Sequence, residues 1–355
     1  MQRKDLALRV LSTAAIMSIV TSIAAPAFAG TYYMANGNLS IRQDENGKVY
    51  VKSGDSDELE DKDKEVIICG GAGDNKWSNA PSGGAADEQQ PHPNAGSTLN
   101  ETQEGSAQTE EDSAQTQEDS AQTRKAALAP APAADPALTT PAAGSATTST
   151  TNVIKVVNNW VGEAAKELKI RLSNVNIKVE KKVNKAAMDV SGDGTTKVEL
   201  DGQNVLDSYG TDYPASYQAG LRKQGEGTLI ITDETDDRGN KITTPKSNDS
   251  GSLTAKGAGG NGAAGIGGSA AEGTKNITIE GYATVHATGS GNGAGIGGGG
   301  YYGEEKPGDA ENIIIQGYAT VDATGDGGGA GIGGGFAGNA KNIIIRGHSK
   351  VKATA

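Results

Sequence analysis

Ala264-Gly265-Ile266-Gly267-Gly268 recurs as Ala294-Gly295-Ile296-Gly297-Gly298 and as Ala330-Gly331-Ile332-Gly333-Gly334, at offsets of 30 and 36 residues. Two further segments keep step with it. Asn276-Ile277-Thr278-Ile279 returns as Asn312-Ile313-Ile314-Ile315 and Asn342-Ile343-Ile344-Ile345. Gly281-Tyr282-Ala283-Thr284-Val285 returns as Gly317-Tyr318-Ala319-Thr320-Val321 and Gly347-His348-Ser349-Lys350-Val351. The extra residues of the longer repeat fall around Tyr301 to Asp309 and read as a loop. Each repeat therefore holds three short alternating apolar runs separated by glycine. Period-two alternation means strand, and self-similarity at this spacing means a solenoid. The expected fold is all-β: a parallel β-helix with three strands per glycine-rich coil. Its coils would stack about 4.7–4.9 Å apart through main-chain hydrogen bonds. Ile and Val would form inward columns, and glycine would turn the corners, where positive φ is needed.

Other readings of the glycines fail on their own terms. A phosphate loop needs Gly-Lys-Ser/Thr after the glycines, and none is present. The calcium nonapeptide needs a repeated Asp among its glycines, and Gly325-Asp326-Gly327 stands alone. A flexible linker would not carry Asn-Ile-x-Ile on schedule.

The pattern extends upstream in weaker form. Leu229-Ile230-Ile231 and Leu253-Thr254-Ala255 precede the first Gly-Ile-Gly-Gly as a degenerate coil, with Ala219-Gly220-Leu221 before it. Alternation continues at Ile170 and Leu172, Ile177 and Val179, Met188 and Val190, and Val198 and Leu200. Residues 160–168 carry a short helical pattern. Nearer the start, Leu39–Arg42 and Lys48–Val51 flank Asp44-Glu45-Asn46-Gly47, which predicts a hairpin. Val66-Ile67-Ile68-Cys69 then reads as a buried strand, with Cys69 as a small apolar residue.

Between these regions, residues 72–151 are dominated by Ala, Gln, Ser, Thr, Glu and Pro, with almost no branched apolar residue. A seven-residue repeat, Ser106-Ala107-Gln108-Thr109 onward, offers only Ala to a coiled-coil seam. Such a stretch cannot bury enough surface to offset chain entropy, so a disordered low-complexity insertion is expected. At the N-terminus, basic residues precede an apolar run from Val10 to Ala25, and Ala27-Phe28-Ala29 follows. That is a signal-peptide pattern over residues 1–29, implying a secreted or cell-surface protein with no membrane span after cleavage. The expected organisation is first strands at 30–71, the insertion at 72–151, and a β-helix at 152–355. The chain stops at Ala355, where another Ala-Gly-Ile-Gly-Gly would be due. That suggests a truncated coil or a partner capping it.

Composition narrows function. The net charge is -12, and removing the +2 signal region takes it to about -14. This balance disfavours nucleic acid as a partner and suits bound divalent cations. With one cysteine, no disulfide framework or zinc site of the CxxC type is available.

The alternation of Ala-Gly-Ile-Gly-Gly-Gly, Ile-x-Ile-x-Gly and Val-x-Ala resembles the secreted carbohydrate-binding β-helix family of clostridia and their relatives. Val198-Glu199-Leu200-Asp201-Gly202-Gln203-Asn204 is similar to that family's L-D-G-x-N turn. The resemblance implies an extracellular polysaccharide partner, acidic and pectin-like, and calcium.

Catalysis is not expected. His92, His286 and His348 are scattered. A pectin lyase, the enzymatic alternative, would need clustered carboxylates with a basic residue. Glu280, Gln316 and Arg346 occupy equivalent places instead, as do His286, Asp322 and Lys352. A structural or adhesive surface solenoid is the other alternative. For binding, Tyr282, Tyr318 and His348 are equivalent positions that would stack coil upon coil, and aromatic surfaces suit sugar rings. Tyr301 and Tyr302 lie in the one lengthened loop, where function is often grafted. Calcium candidates are Asp55, Asp57, Glu58, Asp61 and Asp63, with Asp233, Glu234, Asp236 and Asp237 as a second run. Each of these groups also fits a bland reading: a structural stack, exposed loop residues, and solvated acidic turns.

Overall fold

The computed structural model describes residues 30–63, 65–71, 149–162, 167–180, 183–208, 217–235, 241–243, 251–260, 262–300 and 306–355. The signal region, almost all of the predicted insertion, and Tyr301, Tyr302, Asp236 and Asp237 lie outside them. The described residues are all-β, with one 3-10 turn at Met34–Asn36. No helix among them is long and apolar enough to cross a membrane.

The strands form three sheets. Sheet 1 is fully parallel. It runs β1 (Gly30–Tyr33), β5 (Val66–Cys69), β7 (Leu168–Ser173), β10 (Thr196–Asp201), β13 (Leu229–Thr232), β16 (Thr274–Ile279), β19 (Ala310–Ile315) and β22 (Ala340–Ile345). Sheet 2, also parallel, runs β8 (Asn176–Lys178), β11 (Gln203–Asp207), β14 (Ser252–Lys256), β17 (Thr284–Thr288), β20 (Thr320–Thr324) and β23 (Lys350–Thr354). Sheet 3 begins antiparallel with β4 (Leu59–Asp61), β3 (Val49–Ser53) and β2 (Leu39–Gln43). It continues parallel through β6 (Ile154–Asn158), β9 (Met188–Ser191), β12 (Leu221–Lys223), β15 (Ile266–Gly267), β18 (Ile296–Gly297) and β21 (Ile332–Gly333). From β6 to β23 the chain visits sheets 3, 1 and 2 in strict rotation.

Register explains why these residues form these strands. On sheet 1, Val66, Ile170, Val198, Ile231, Ile279, Ile315 and Ile345 stand in one column. On sheet 3, Leu39, Ile154, Met188, Leu221, Ile266, Ile296 and Ile332 make another. All but the last members of each are buried in a shared core. Because side chains alternate faces, a slip of one residue would turn a whole column outward. On sheet 2 one inward column tapers, from Ile177 and Leu206 to Ala255, Ala287, Ala323 and Ala353, while the other holds Leu253, Val285 and Val321.

Local chemistry sets the turns. The predicted hairpin forms, with Ile41 opposite Val51. Its loop is wider than an Asn-Gly two-residue turn. The Asp44 carboxylate accepts from the amides of Asn46 and Lys48 at 2.9 Å each, so Asp44, as well as Gly47, organises it. The helical pattern at 160–168 is not realised at its described ends: Trp160 to Gly162 are irregular, and Leu168 opens β7. Ala164 and Ala165 lie outside the described residues. Leu168 is 2% exposed in the core, so burial in sheet 1 overrides local helical preference there. Gly297 shows why the corners are glycine. Its φ is +142°, and a Cβ would strike the carbonyl oxygen of Gly333 in the next coil.

Candidate functional site

Tyr282, Tyr318 and His348 each follow a positive-φ glycine at the corner between sheets 1 and 2. Each donates its backbone N–H one coil back: Tyr282 to Asp233, Tyr318 to Gly281, His348 to Gly317, at 2.9, 2.9 and 2.7 Å. The rings therefore stack. Tyr282 and Tyr318 have centroids 5.1 Å apart at 16°, and Tyr318 and His348 4.9 Å apart at 18°. The sequence placed these residues in one column, and they are in one column. Stacking also determines what they offer. Both faces of Tyr318 are covered by its neighbours, so it presents its rim and hydroxyl, at 50% exposure. Such an edge-on column suits hydrogen bonding to hydroxyls better than packing of sugar rings on aromatic faces.

Polar ladders run beside this column. Gln316 Nε2 donates to Glu280 Oε2 at 2.6 Å, and Arg346 Nε donates to Gln316 Oε1 at 2.8 Å. Asn312 Nδ2 donates to Asn276 Oδ1, and Asn342 Nδ2 to Asn312 Oδ1, both at 3.0 Å. All three asparagines have φ between +55° and +59°, a left-handed kink in mid-strand that Asn tolerates. On sheet 2, His286, Asp322 and Lys352 align, with Lys352 Nζ 3.5 Å from Asp322 Oδ2. Burial pushes the His286 imidazole below its ordinary pKa, and its Nε2 has no partner among the described residues.

The first acidic run is not assembled as a calcium cage. Glu58 pairs with Arg42 at 2.9 Å. Asp61 accepts the Tyr32 hydroxyl at 2.7 Å and the Asp63 amide at 2.9 Å. Asp55, in a turn, and Asp57, in the loop after it, are exposed. Among the described residues no three His, Cys, Asp or Glu side chains converge on a point that could hold a metal. Of the second run, Asp233 and Glu234 are described, and they serve a different network.

That network was not anticipated. Arg171, 6% exposed, projects outward from β7 and grips both oxygens of Asp201 at 2.9 Å. Its Nε reaches Glu65 at 3.1 Å, and a terminal nitrogen reaches Thr235 Oγ1 at 2.7 Å. Buried Glu199 accepts the amides of Glu234 and Thr235 at 2.7 Å each. Asp233, 1% exposed, accepts the Gly251 amide at 2.8 Å, and burial pushes its carboxyl up to about 7. The carboxylates are held by Arg171 and by backbone amides, so the cluster ties sheet 1 together. Alternation in β7 marked Arg171 as outward, but its partners lie 30 or more residues away and no local signal finds them. Lys223 is a second surprise. It continues an inward column of Ile41, Val156 and Val190. It is 2% exposed, donates to the carbonyls of Gln224 and Gly225 at 3.0 and 3.1 Å, and is pushed down to about 8 by burial. Cys69 is half-buried and free, and burial raises its thiol pKa, which disfavours the nucleophilic thiolate.

No family model matches the chain, and no curated protein or solved structure matches it.

Proposed function

We propose that this chain is a secreted, non-catalytic carbohydrate-binding protein built as a parallel β-helix, and that it engages an extracellular acidic polysaccharide along the corner between sheets 1 and 2. The observation that carries this reading is the column Tyr282–Tyr318–His348. It is aligned with the Glu280–Gln316–Arg346 ladder, so aromatic rims and hydrogen-bonding groups repeat once per coil. A repeating polymer suits a repeating surface. The rotation of strands through three sheets supports the β-helix architecture, and the N-terminal basic-apolar pattern supports secretion. The reading does not depend on calcium: in the acidic run Glu58 is paired with Arg42 and Asp61 with Tyr32, while Asp55 and Asp57 stand exposed.

The test is retention of the full chain on immobilised polygalacturonate, with and without chelator, comparing wild type with Tyr318→Ala. Weakened retention of a variant that keeps its melting temperature supports the proposal. No retention of wild type on any polysaccharide overturns it. The mutual covering of the ring faces favours a second reading, in which the column stiffens a structural or adhesive solenoid. That reading expects Tyr318→Ala to lower the melting temperature and leave retention unchanged.

A further inference from the structure

Tyr282 and Tyr318 can react with each other as well as with a ligand. Both follow a glycine in the same left-handed conformation, Gly281 at φ +67° and Gly317 at φ +72°, so the two rings leave the chain in the same direction. The backbone on either side of them is locked one coil apart. Ile279 pairs with Ile315 before the corner, and Thr284 pairs with Thr320 after it. Across the corner, the N–H groups of Gln316, Tyr318 and Thr320 donate to the carbonyls of Ile279, Gly281 and Ala283 at 2.9 Å each. Like atoms of the two rings therefore face each other across one coil spacing, with centroids 5.1 Å apart and planes 16° from parallel.

The pair is also accessible and isolated. Tyr318 is 50% exposed at its rim, so an oxidant reaches the stack without opening the fold. The third ring of the column is His348, on the far face of Tyr318, so no further phenol continues the stack there. Other tyrosines are held differently. Tyr32 is 1% exposed and donates its hydroxyl to Asp61, and the Arg42 guanidinium lies 4.2 Å over the ring of Tyr50. With Cys69 as its one cysteine, the chain has no intrachain disulfide to link its coils.

We infer that Tyr282 and Tyr318 are an oxidative cross-linking site, coupled by a peroxidase-type one-electron oxidant into a dityrosine that staples two successive coils. Each phenol gives up one electron and its hydroxyl proton, leaving a radical with spin on the carbons ortho to oxygen. One ortho carbon of each ring then joins the other in a new C–C bond. Each of those carbons loses its hydrogen as a proton while its oxygen regains one, which restores the phenol. The net loss is two electrons and two protons, which reduce one hydrogen peroxide to two waters. Because the fold holds the two rings together, coupling needs no encounter between separate molecules. The link closes a loop between residues 36 apart and restricts the opened chain as a disulfide would. The inference is independent of the carbohydrate-binding reading.

The test treats the dilute full chain with a haem peroxidase and hydrogen peroxide, with N-acetyltyrosine coupled in parallel as a control. Wild type is compared with Tyr282→Phe and Tyr318→Phe, which keep a stacked ring and lose the phenolic hydrogen. The expected product is a monomer lighter by two hydrogens, with dityrosine fluorescence. A glutamate-specific protease cuts between Tyr282 and Tyr318, and fragment sequencing separates Tyr282 from Tyr301 and Tyr302 on the same segment. The two segments should be recovered joined through Tyr282 and Tyr318 in wild type and unjoined in either variant. Amide exchange in β17 and β20 should slow about tenfold once the link forms. Unchanged exchange would overturn the staple. Coupling found only between chains, a link that persists in both variants, or unlinked Tyr282 and Tyr318 where N-acetyltyrosine has coupled would overturn the site.

Discussion

The early strands and the late repeats solve the same packing problem with different material. Around β7 and β10 the core is filled by large side chains: Leu168, Ile170, Leu172, Val198 and Leu200 are all buried. Outside it, charged groups are tied by the Arg171 network. Around β16 to β21 one sheet 2 column has shrunk to Ala287 and Ala323 beside Val285 and Val321, and sheet 3 is reduced to Ile-Gly pairs. There the stabilising features are repetition itself: aligned Ile columns, amide ladders and glycine corners pressed against the next coil. Where the side chains are small, backbone meets backbone, and tolerance moves from volume to conformation. The late repeats should therefore be broken most easily by adding atoms, and the early coils by removing them.

The largest effect is expected at Gly297. Alanine there must hold φ near +142° and displace the Gly333 carbonyl. Strain and overpacking together should cost about 4 kcal/mol. Within each sheet a strand pairs only with the strands on either side of it, so the loss should be local. Hydrogen exchange should accelerate in β18 and β21 well before β7. Equal acceleration everywhere would show that the repeats are not energetically separable from the early coils.

Leu172→Ala is the converse. The side chain is fully buried, and its removal should cost about 3 kcal/mol, seen as a lower urea midpoint. Ala323→Gly in the late sheet 2 column removes far less volume and should cost about 1 kcal/mol. Equal losses at the two sites would refute the contrast between filled and close-packed coils.

Asp233 sharpens the comparison through pH. Its folded pKa is raised to about 7, above the ordinary carboxyl value. A raised folded pKa means the native state binds the proton more tightly than the unfolded chain. The stability this contributes is present below about pH 4 and is lost as pH rises through 7. Asp233→Asn keeps an oxygen for the Gly251 amide and has no charge to bury. It should be more stable than wild type at pH 8 and show a flatter profile between pH 4 and 7. An unchanged profile would mean that Asp233 stays ionised in its buried place.

The same contrast explains what could be read from sequence. The late coils were legible because each requirement recurs in register. Ile266, Ile296 and Ile332 announce the core, and Tyr282, Tyr318 and His348 announce the stack. The early hairpin was legible because Asp44 to Gly47 is local turn chemistry. The Arg171 network and buried Lys223 were not legible. Each depends on side chains from strands far apart in sequence, and neither repeats. Leu168 shows the remaining failure: a residue in a helical pattern whose state is decided by the strand beside it.

Asn312 carries the smallest expected effect and the cleanest separation of causes. It sits in mid-ladder, donating to Asn276 and accepting from Asn342, with φ at +55°. Asn312→Ala loses both hydrogen bonds and also places an ordinary residue in the left-handed region. Asn312→Gly loses the same bonds but holds that φ without strain. The ladder is partly solvent-exposed, so its bonds should contribute little net stability, and alanine should cost about 1 kcal/mol more than glycine. If the two variants melted together well below wild type, the amide ladder itself would be holding the coils. If glycine matched wild type, asparagine is there for its backbone, and the ladder follows from the kink rather than causing it.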